Sequence, residues 1–572
     1  MSIVSIRGPC GRFVSLNNRA GAVIVLAVAL GAGAVFGQGR VFWQEGGVEL
    51  CAGTCYWGAA AVADGCGGAV VVWFDNRAGS KCVYAQRVSS EGDALWQTDG
   101  VPLRADIGSG VTYAAVGDCA GGAIAAWSDW GGIPNCYKVT AQRVDSAGNV
   151  RWGPLGTFVT GTTTEDVVYW PALASDERGG AYVAWTHFEI PGCTVAVSRV
   201  DSLGGISWTS VLSCDTIENF PPAVCADAQG GIVVVWAAWA GSSWRVMAQR
   251  LDSTGTELWA HGGVLVSSQA YGRVAIPSVL VNDDGFVVVW SAQTASGWRV
   301  WAQQLDAGGN PMWSDSGCGV SPFYQGLGIW TAVALSGGGG RTICVWEENR
   351  DSLYVVTGQS LDSSGRRVWD TTGVVLGPTF SDEGWDFAAV TDARGGAVAA
   401  WLVNDGRDWD IRSQRIDTAG RLCWGDSGVW VRNDTLGGQW IPTAVPDGAG
   451  GALVAWLGAA SVWAQRVGDA SSVGELPSGV LSRPLNLSST PARSHVRITW
   501  QDTGVGEKLA VFDGTGRLVA RPACDRSGSG IGTAFWDGST LGGGRAVPGP
   551  YFLVLTRADV TAQLARLLWL GN

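Results

Sequence analysis

A "VVVW"-like block recurs with drift through most of the chain, placing a tryptophan at Trp73, Trp127, Trp185, Trp236, Trp290, Trp346, Trp401 and Trp456, between 51 and 58 residues apart. A period this regular over eight copies means one duplicated supersecondary unit, each copy burying its apolar face against the next. It overrides the length prior that would divide 572 residues into several independent domains.

Each unit reads as four short strands. The first ends in a D-x-x-G-G turn, at Asp64, Asp118, Asp176, Asp227, Asp392 and Asp447. Aspartate caps backbone amides two residues on, and glycine takes positive φ without strain. The second strand is the "VVVW" block, continuously apolar as a strand covered on both faces should be. The third carries Ala-Gln-Arg, as at Ala85-Gln86-Arg87 and Ala464-Gln465-Arg466, and a D-x-x-G-x-x-x-W hairpin follows, as in "DSAGNVRW" from Asp145 to Trp152. The fourth strand is expected to begin at that tryptophan and run through a Gly-Val pair.

Four antiparallel strands per unit without helical periodicity predict an all-β chain whose main body is an eight-bladed β-propeller. The eighth unit stops after its third strand, and residues 41–50 supply the missing tryptophan and Gly-Val pattern. Pairing them into the last blade leaves no open edge; an open solenoid is the alternative. The expected divisions are a signal peptide over 1–37, the propeller over 38–479 and a C-terminal β-sandwich over 480–572.

The address is read from the N-terminus. Arg7, Arg12 and Arg19 precede an apolar run from Gly21 to Phe36, with Val35 and Gly37 at the −3 and −1 positions of a cleavage site. The run is shorter than the roughly 20 residues a spanning helix needs, so a secreted or outer-surface bacterial protein is expected, without a transmembrane segment once the signal is removed. The net charge of −12, with 3 lysines against 35 arginines, supplies no basic face for phosphates, so nucleic acid is excluded as a partner class. Removal of Cys10 leaves thirteen of fourteen cysteines, an odd number. Cys51 with Cys55 and Cys214 with Cys225 are spaced for local closure, Cys66 and Cys119 occupy equivalent turns, and small buried apolar residues are the alternative reading for all of them. No C-x-x-C pair occurs and there are only three histidines, so neither a metal, a cofactor nor a histidine triad is expected.

The turns after strands one and three share one face and are nearly invariant. The loops after "VVVW" and between blades share the other face and vary, as a binding surface would. The variable face offers Trp130, His187, Glu189, Trp239, Trp244, Trp298, Glu347, Asp405 and Trp409 as ligand-binding candidates. Trp57, Trp170, Trp330, Trp385 and Trp440 precede the innermost strands and are candidates for the channel mouth, against a packing role between blades. Aromatics beside carboxylates suit a glycan or protein ligand, and no catalytic residue is assigned. Adjacent Glu347 and Glu348 point to opposite sides of a strand. The "GDSG" from Gly425 to Gly428 is the repeat's own turn, matched by "SDSG" after Trp313.

Two resemblances complete the reading. The hairpin is similar to the Asp-box of sialidases and related propellers, with one extra residue in each gap; the Asp-box is itself a structural turn. In the tail, Pro491, Asp513, Gly516, Arg517, Val519, Trp536, Asp537, Gly538, Val547, Gly549 and Tyr551 match a pattern of type IX secretion sorting domains and the related immunoglobulin-like domain of flagellar hook-capping proteins. Thr490 stands where the family has asparagine, and the last strand is poor in lysine. The resemblance implies an antiparallel sandwich and partnership with secretion machinery. The function expected is a secreted or surface binding module for glycan or protein, with a glycoside hydrolase or lyase on the variable face, or a structural spacer, as alternatives.

Overall fold

The structure is a computed structural model that describes residues 39–569 except 54, 108–112, 131–136, 161–166, 190–191, 213–220, 228, 325–330, 351–352, 380–386, 405–407, 434–437, 471–485, 488–494, 502–506, 514–517, 528–530, 541–543 and 558–559. The expected signal peptide lies outside the described residues, as does the expected boundary near 480.

Eight antiparallel sheets of four or five strands follow one another in chain order. Blade 1 is Cys55–Ala63, Ala69–Asp75, Cys82–Val88 and Val101–Arg104. The innermost strands of blades 2 to 7 are Tyr113–Gly117, Val167–Ser175, Ala223–Ala226, Ser278–Asn282, Ala332–Gly338 and Phe387–Thr391. Each touches the next, and that of blade 8, Gln439–Pro446, touches that of blade 1. The ring is closed, and the chain is an eight-bladed β-propeller.

Closure is made as expected by the N-terminal segment, but in two pieces. Gly39–Val41 and Val48–Cys51 both pair with the third strand of blade 8, Ser461–Asp469. Gly46 and Gly47, both at positive φ, separate them. A Cβ on Gly47 would lie 2.6 Å from the Ala464 carbonyl and 2.9 Å from the Trp456 ring. The same contact explains the Gly-Val pattern elsewhere: Gly100 and Gly263 lie comparably close under Trp73 and Trp236.

The second strands are the core of each blade. Trp73, Trp127, Trp236, Trp290, Trp346, Trp401 and Trp456 are fully buried, and Trp185 nearly so. The buried glutamine of the third strand, present in every blade but the third, where Ser198 stands, then fixes the chain that follows. Gln142 Oε1 accepts from the Trp152 amide at 3.0 Å while its Nε2 donates to the Gly153 carbonyl at 2.7 Å. At the closure Gln465 repeats this across the chain ends, with the Trp43 amide at 3.0 Å and the Gln44 carbonyl at 2.9 Å.

The fourth strands differ from expectation. Only in blade 3 does the strand, Ile206–Val211, contain the hairpin tryptophan; elsewhere the strand starts later, as at Val101 after Trp96. The reason is the third-strand glutamine, whose Oε1 takes the tryptophan amide, as at Trp96 and Trp259; blade 3 has Ser198 there, and Trp208 pairs with Arg199 in the sheet instead. The tryptophan rings reach the next blade. The indole N–H groups of Trp96, Trp152, Trp208 and Trp259 donate at 3.0–3.1 Å to the carbonyls of Ser146, Ser202, Ser253 and Ala307. Each ring also packs on the hairpin glycine of that neighbour, as Trp96 does on Gly148. Arginines reach the same carbonyls. Arg143 bridges Asp118 at 2.9 Å in its own blade and the Ser202 carbonyl at 3.2 Å in the next. The Asp118 Oδ1 atom meanwhile accepts from the amides of Ala120 and Gly122. The D-x-x-G-G turn and the Ala-Gln-Arg strand are thus two halves of one latch between blades.

The tail forms two four-stranded antiparallel sheets around one core of Val496, Ile498, Val511, Trp536, Leu553 and Trp569. The Tyr551 hydroxyl donates to the Val547 carbonyl at 2.8 Å, and Gly538, at positive φ, lies against the Trp569 ring. No helix among the described residues is long and apolar enough to cross a membrane.

Candidate functional site

The latches occupy the invariant face, so recognition has to be sought on the other. There the residue two places after each core tryptophan stands on the same side of the strand as the indole. In blade 1 it is Asp75, which accepts from Trp73 Nε1 at 3.2 Å and from the Arg77 amide and guanidinium. In blade 6 it is Glu348, which accepts from Trp346 Nε1 at 2.5 Å, from Thr357 Oγ1 at 3.0 Å and from Arg350. The segments "WFDNR" and "WEENR" are two copies of one arrangement. In blade 2 Asp129 pairs with Arg104 at 3.1 Å; burial pushes its carboxyl up, against the pull of Arg104. All three carboxylates are buried and committed to an arginine. They brace the rim and are unsuited to act as solvent-facing acid and base.

Glu347 points to the opposite side from Glu348, as the strand period requires, and is buried. Trp244 and Trp298, expected as ligand platforms, are buried as well, at 6% and 4% exposure. Trp244 packs edge-on to the half-buried Trp239 at 5.6 Å. Its backbone pairs with Tyr271, and that of Trp298 with Tyr324. Both side chains are therefore packing residues between blades. His187 sits in the second strand of blade 3, opposite Val168 and Thr194, and is half-buried. The side chains of Trp130 and Glu189, and all of Asp405, Trp330 and Trp385, lie outside the described residues.

The channel-mouth set also needs correction. Trp57, Trp170 and Trp440 do not precede the innermost strands but lie within them, at irregularities in pairing. The Trp57 side chain is outside the described part. Trp170 is half-buried and takes φ of 55°. Trp440 is the one exposed tryptophan among the described side chains, at 48%. Its neighbour Gln439 turns inward to accept from Trp456 Nε1 at 2.6 Å, so strand alternation turns Trp440 outward. There it lies 6.1 Å from Trp409, the two rings inclined by 35°. Asp408 caps the Trp409 amide at 2.8 Å beside Gly438, where a side chain would crowd both Asp408 and Trp440.

The two sequence-predicted classes thus meet at one place, with Trp409 from the loop set and Trp440 from the channel set side by side at the rim of blades 7 and 8. Residue type alone could not separate the exposed Trp440 from the buried Trp244, because both are tryptophans beside loops of the variable face. No polar cluster with metal-ligand spacing occurs on this rim among the described residues apart from Cys51, Cys55 and Asp75, all buried.

No family model and no curated protein matches the sequence. Similar solved structures include a polysaccharide lyase of family 25, an ulvan lyase, at 12% identity over 61% of this chain and 90% of that one, with a TM-score of 0.40. A Penicillium chrysogenum α-L-arabinanase is similar at 13% identity over 54% and 94%, with a TM-score of 0.33. The propeller domain of the Pyrococcus furiosus trilobed protease is similar at 8% identity over 60% and 89%, with a TM-score of 0.34. The eight-bladed ring is established by the chain's own strand pairing rather than by these remote likenesses.

Proposed function

We propose that this chain is an exported binding module that holds a glycan or protein ligand on its variable face, with Trp409 and Trp440 as the contact platform. The observation that carries the reading is that Trp440, the one exposed tryptophan among the described side chains, lies beside the half-buried Trp409 on this rim. A flat aromatic pair with a carboxylate alongside offers stacking to a sugar face and hydrogen bonding to its rim. Binding is favoured over paired-carboxylate hydrolysis because Asp75, Asp129 and Glu348 are each spent on an arginine. Paired-carboxylate chemistry needs two groups that are open to substrate at about 5–10 Å. Export rests on the N-terminal apolar run, and partnership with secretion machinery rests on the tail's sorting-type motif.

The test is binding of the full chain to a broad panel of polysaccharides, with product analysis of each incubation. Binding without product, lost in Trp440→Ala, is the expected result. Released sugar would replace this reading with the hydrolase or lyase. Absence of binding across the panel would overturn the glycan arm and leave a protein ligand or a spacer.

A further inference from the structure

We infer that Cys51 and Cys55 form a disulfide that fastens the closing segment of the ring to blade 1. Cys51 is the last residue of the closing strand and pairs with Val462 of blade 8, whereas Cys55 opens blade 1 and its amide donates to the Ala460 carbonyl at 2.8 Å. The two sulfurs stand 3.0 Å apart, and both are buried. The turn between them is held from both sides, with the Ala52 amide on Asp99 at 3.2 Å and the Gly53 amide on Ser461 Oγ at 3.2 Å. The seam where blades 8 and 1 meet is therefore set for a covalent bridge.

Asp75 completes a three-ligand cluster that invites a cation instead. The guanidinium of Arg77 argues against one. Its Nη2 lies 2.9 Å from Cys51 Sγ and it pairs with Asp75, so a fixed positive charge already occupies the place of the metal. The Cys51 thiol is held up by its hydrogen bond with Cys55 and by burial, which disfavours the thiolate a metal needs. Oxidation removes both thiol protons and leaves Arg77 to Asp75.

The step is thiol–disulfide exchange with a disulfide-bearing oxidant such as oxidised glutathione or a protein oxidoreductase. The thiolate of one cysteine attacks the oxidant, forming a mixed disulfide and expelling one thiolate. The second cysteine loses its proton, attacks the first cysteine's sulfur and expels the other. Two protons and two electrons leave the chain, and the oxidant's disulfide becomes two thiols. Because both sulfurs are shielded once the ring is shut, exchange occurs while the closing segment is undocked. In a cell this step needs the oxidising compartment that export supplies; in vitro it does not, so the chemistry stands or falls apart from the export reading.

The experiment uses the full chain, reduced, then incubated with oxidised glutathione in denaturant below the unfolding transition, digested without reduction and weighed after alkylation. The expected product is a Cys51–Cys55 peptide lighter by two hydrogens and closed to alkylation, and a melting temperature that falls by about 2–4 °C on reduction. In Cys55→Ser the melting temperature is insensitive to reductant. Alkylation of both cysteines after oxidation, or protection by one equivalent of added zinc instead, overturns the proposal.

Discussion

The indole of Trp424 donates to Asp469 Oδ1 at 2.8 Å, where every equivalent tryptophan donates to a backbone carbonyl. Asp469 stands three residues after Arg466, the position that Ser146 holds after Arg143. Blade 8 has no hairpin of its own there, since its outer strand comes from the other end of the chain. The side chain of Asp469 replaces the missing carbonyl. It also accepts from Arg415 and Arg394, each at 2.9 Å, taking over the arginine half of the latch. Gly39 completes the substitution by lying against the Trp424 ring as the hairpin glycines do elsewhere.

Removing that carboxylate should strand a buried indole N–H and weaken the hold on two arginines. Asp469→Ala is expected to destabilise the ring by about 2 kcal/mol, because it leaves the buried Trp424 N–H without an acceptor, while Arg415 keeps Asp392 and Arg394 is exposed to water. Asp469→Asn, which still offers an oxygen to Trp424, should cost roughly half as much. Urea unfolding followed by tryptophan fluorescence measures both, and an alanine variant as stable as wild type would mean that the substitution of side chain for carbonyl carries no energy.

The closing segment is tested at Trp43, whose indole donates to Ser90 at 2.9 Å and whose ring covers Gly92. Trp43→Ala should cost about 2–3 kcal/mol, somewhat below the full price of a core tryptophan because the ring is half-buried. The loss should also be cooperative across the propeller. Differential scanning calorimetry would show one transition moved to lower temperature; an unmoved transition would mean that the ring holds without its seam.

Two adjacent glycines separate backbone strain from crowding. Gly262 and Gly263 both have φ of 80° or more, but only Gly263 has its Cβ position filled, 2.7 Å from the Ala248 carbonyl and 2.9 Å from Trp236. Gly262→Ala should cost about 1 kcal/mol from the backbone alone. Gly263→Ala adds the displacement of a core tryptophan and should cost about 3 kcal/mol. Equal values for the two in the same denaturation assay would contradict the packing account of the Gly-Val pattern.

The hairpin aspartates give the fold an acid limb. The carboxyl of Asp252 is held low by the Thr254 hydroxyl, that of Asp306 by the Asn310 side chain and that of Asp362 by the Ser364 hydroxyl, with backbone amides adding to each. Depressed carboxyls bind fewer protons folded than unfolded, so their stabilisation is complete above about pH 4 and is lost as pH falls through the folded values. The triple variant D252N/D306N/D362N should therefore lose stability less steeply than wild type from pH 4 downward. Parallel slopes in acid titrations followed by circular dichroism would remove these turns as a source of acid sensitivity.

What the sequence by itself determined was the repeat and everything that repeats with it. The tryptophan period set eight blades, the Asp-x-x-Gly-Gly and Ala-Gln-Arg motifs marked the turns and strands, and the truncated last unit together with residues 41–50 pointed to closure across the chain ends. These were legible because each motif serves the same local bond in blade after blade. Exposure was not legible, because tryptophans of equal composition and spacing differ only in what the neighbouring blade brings to them. Tertiary packing buried Trp244 and Trp298, brought Arg104 of blade 1 to Asp129 of blade 2, and left Trp440 outside because Gln439 was needed inside by Trp456. It also decided that Cys51 and Cys55 lie where blade 8 meets blade 1, since that contact exists only once the ring has closed.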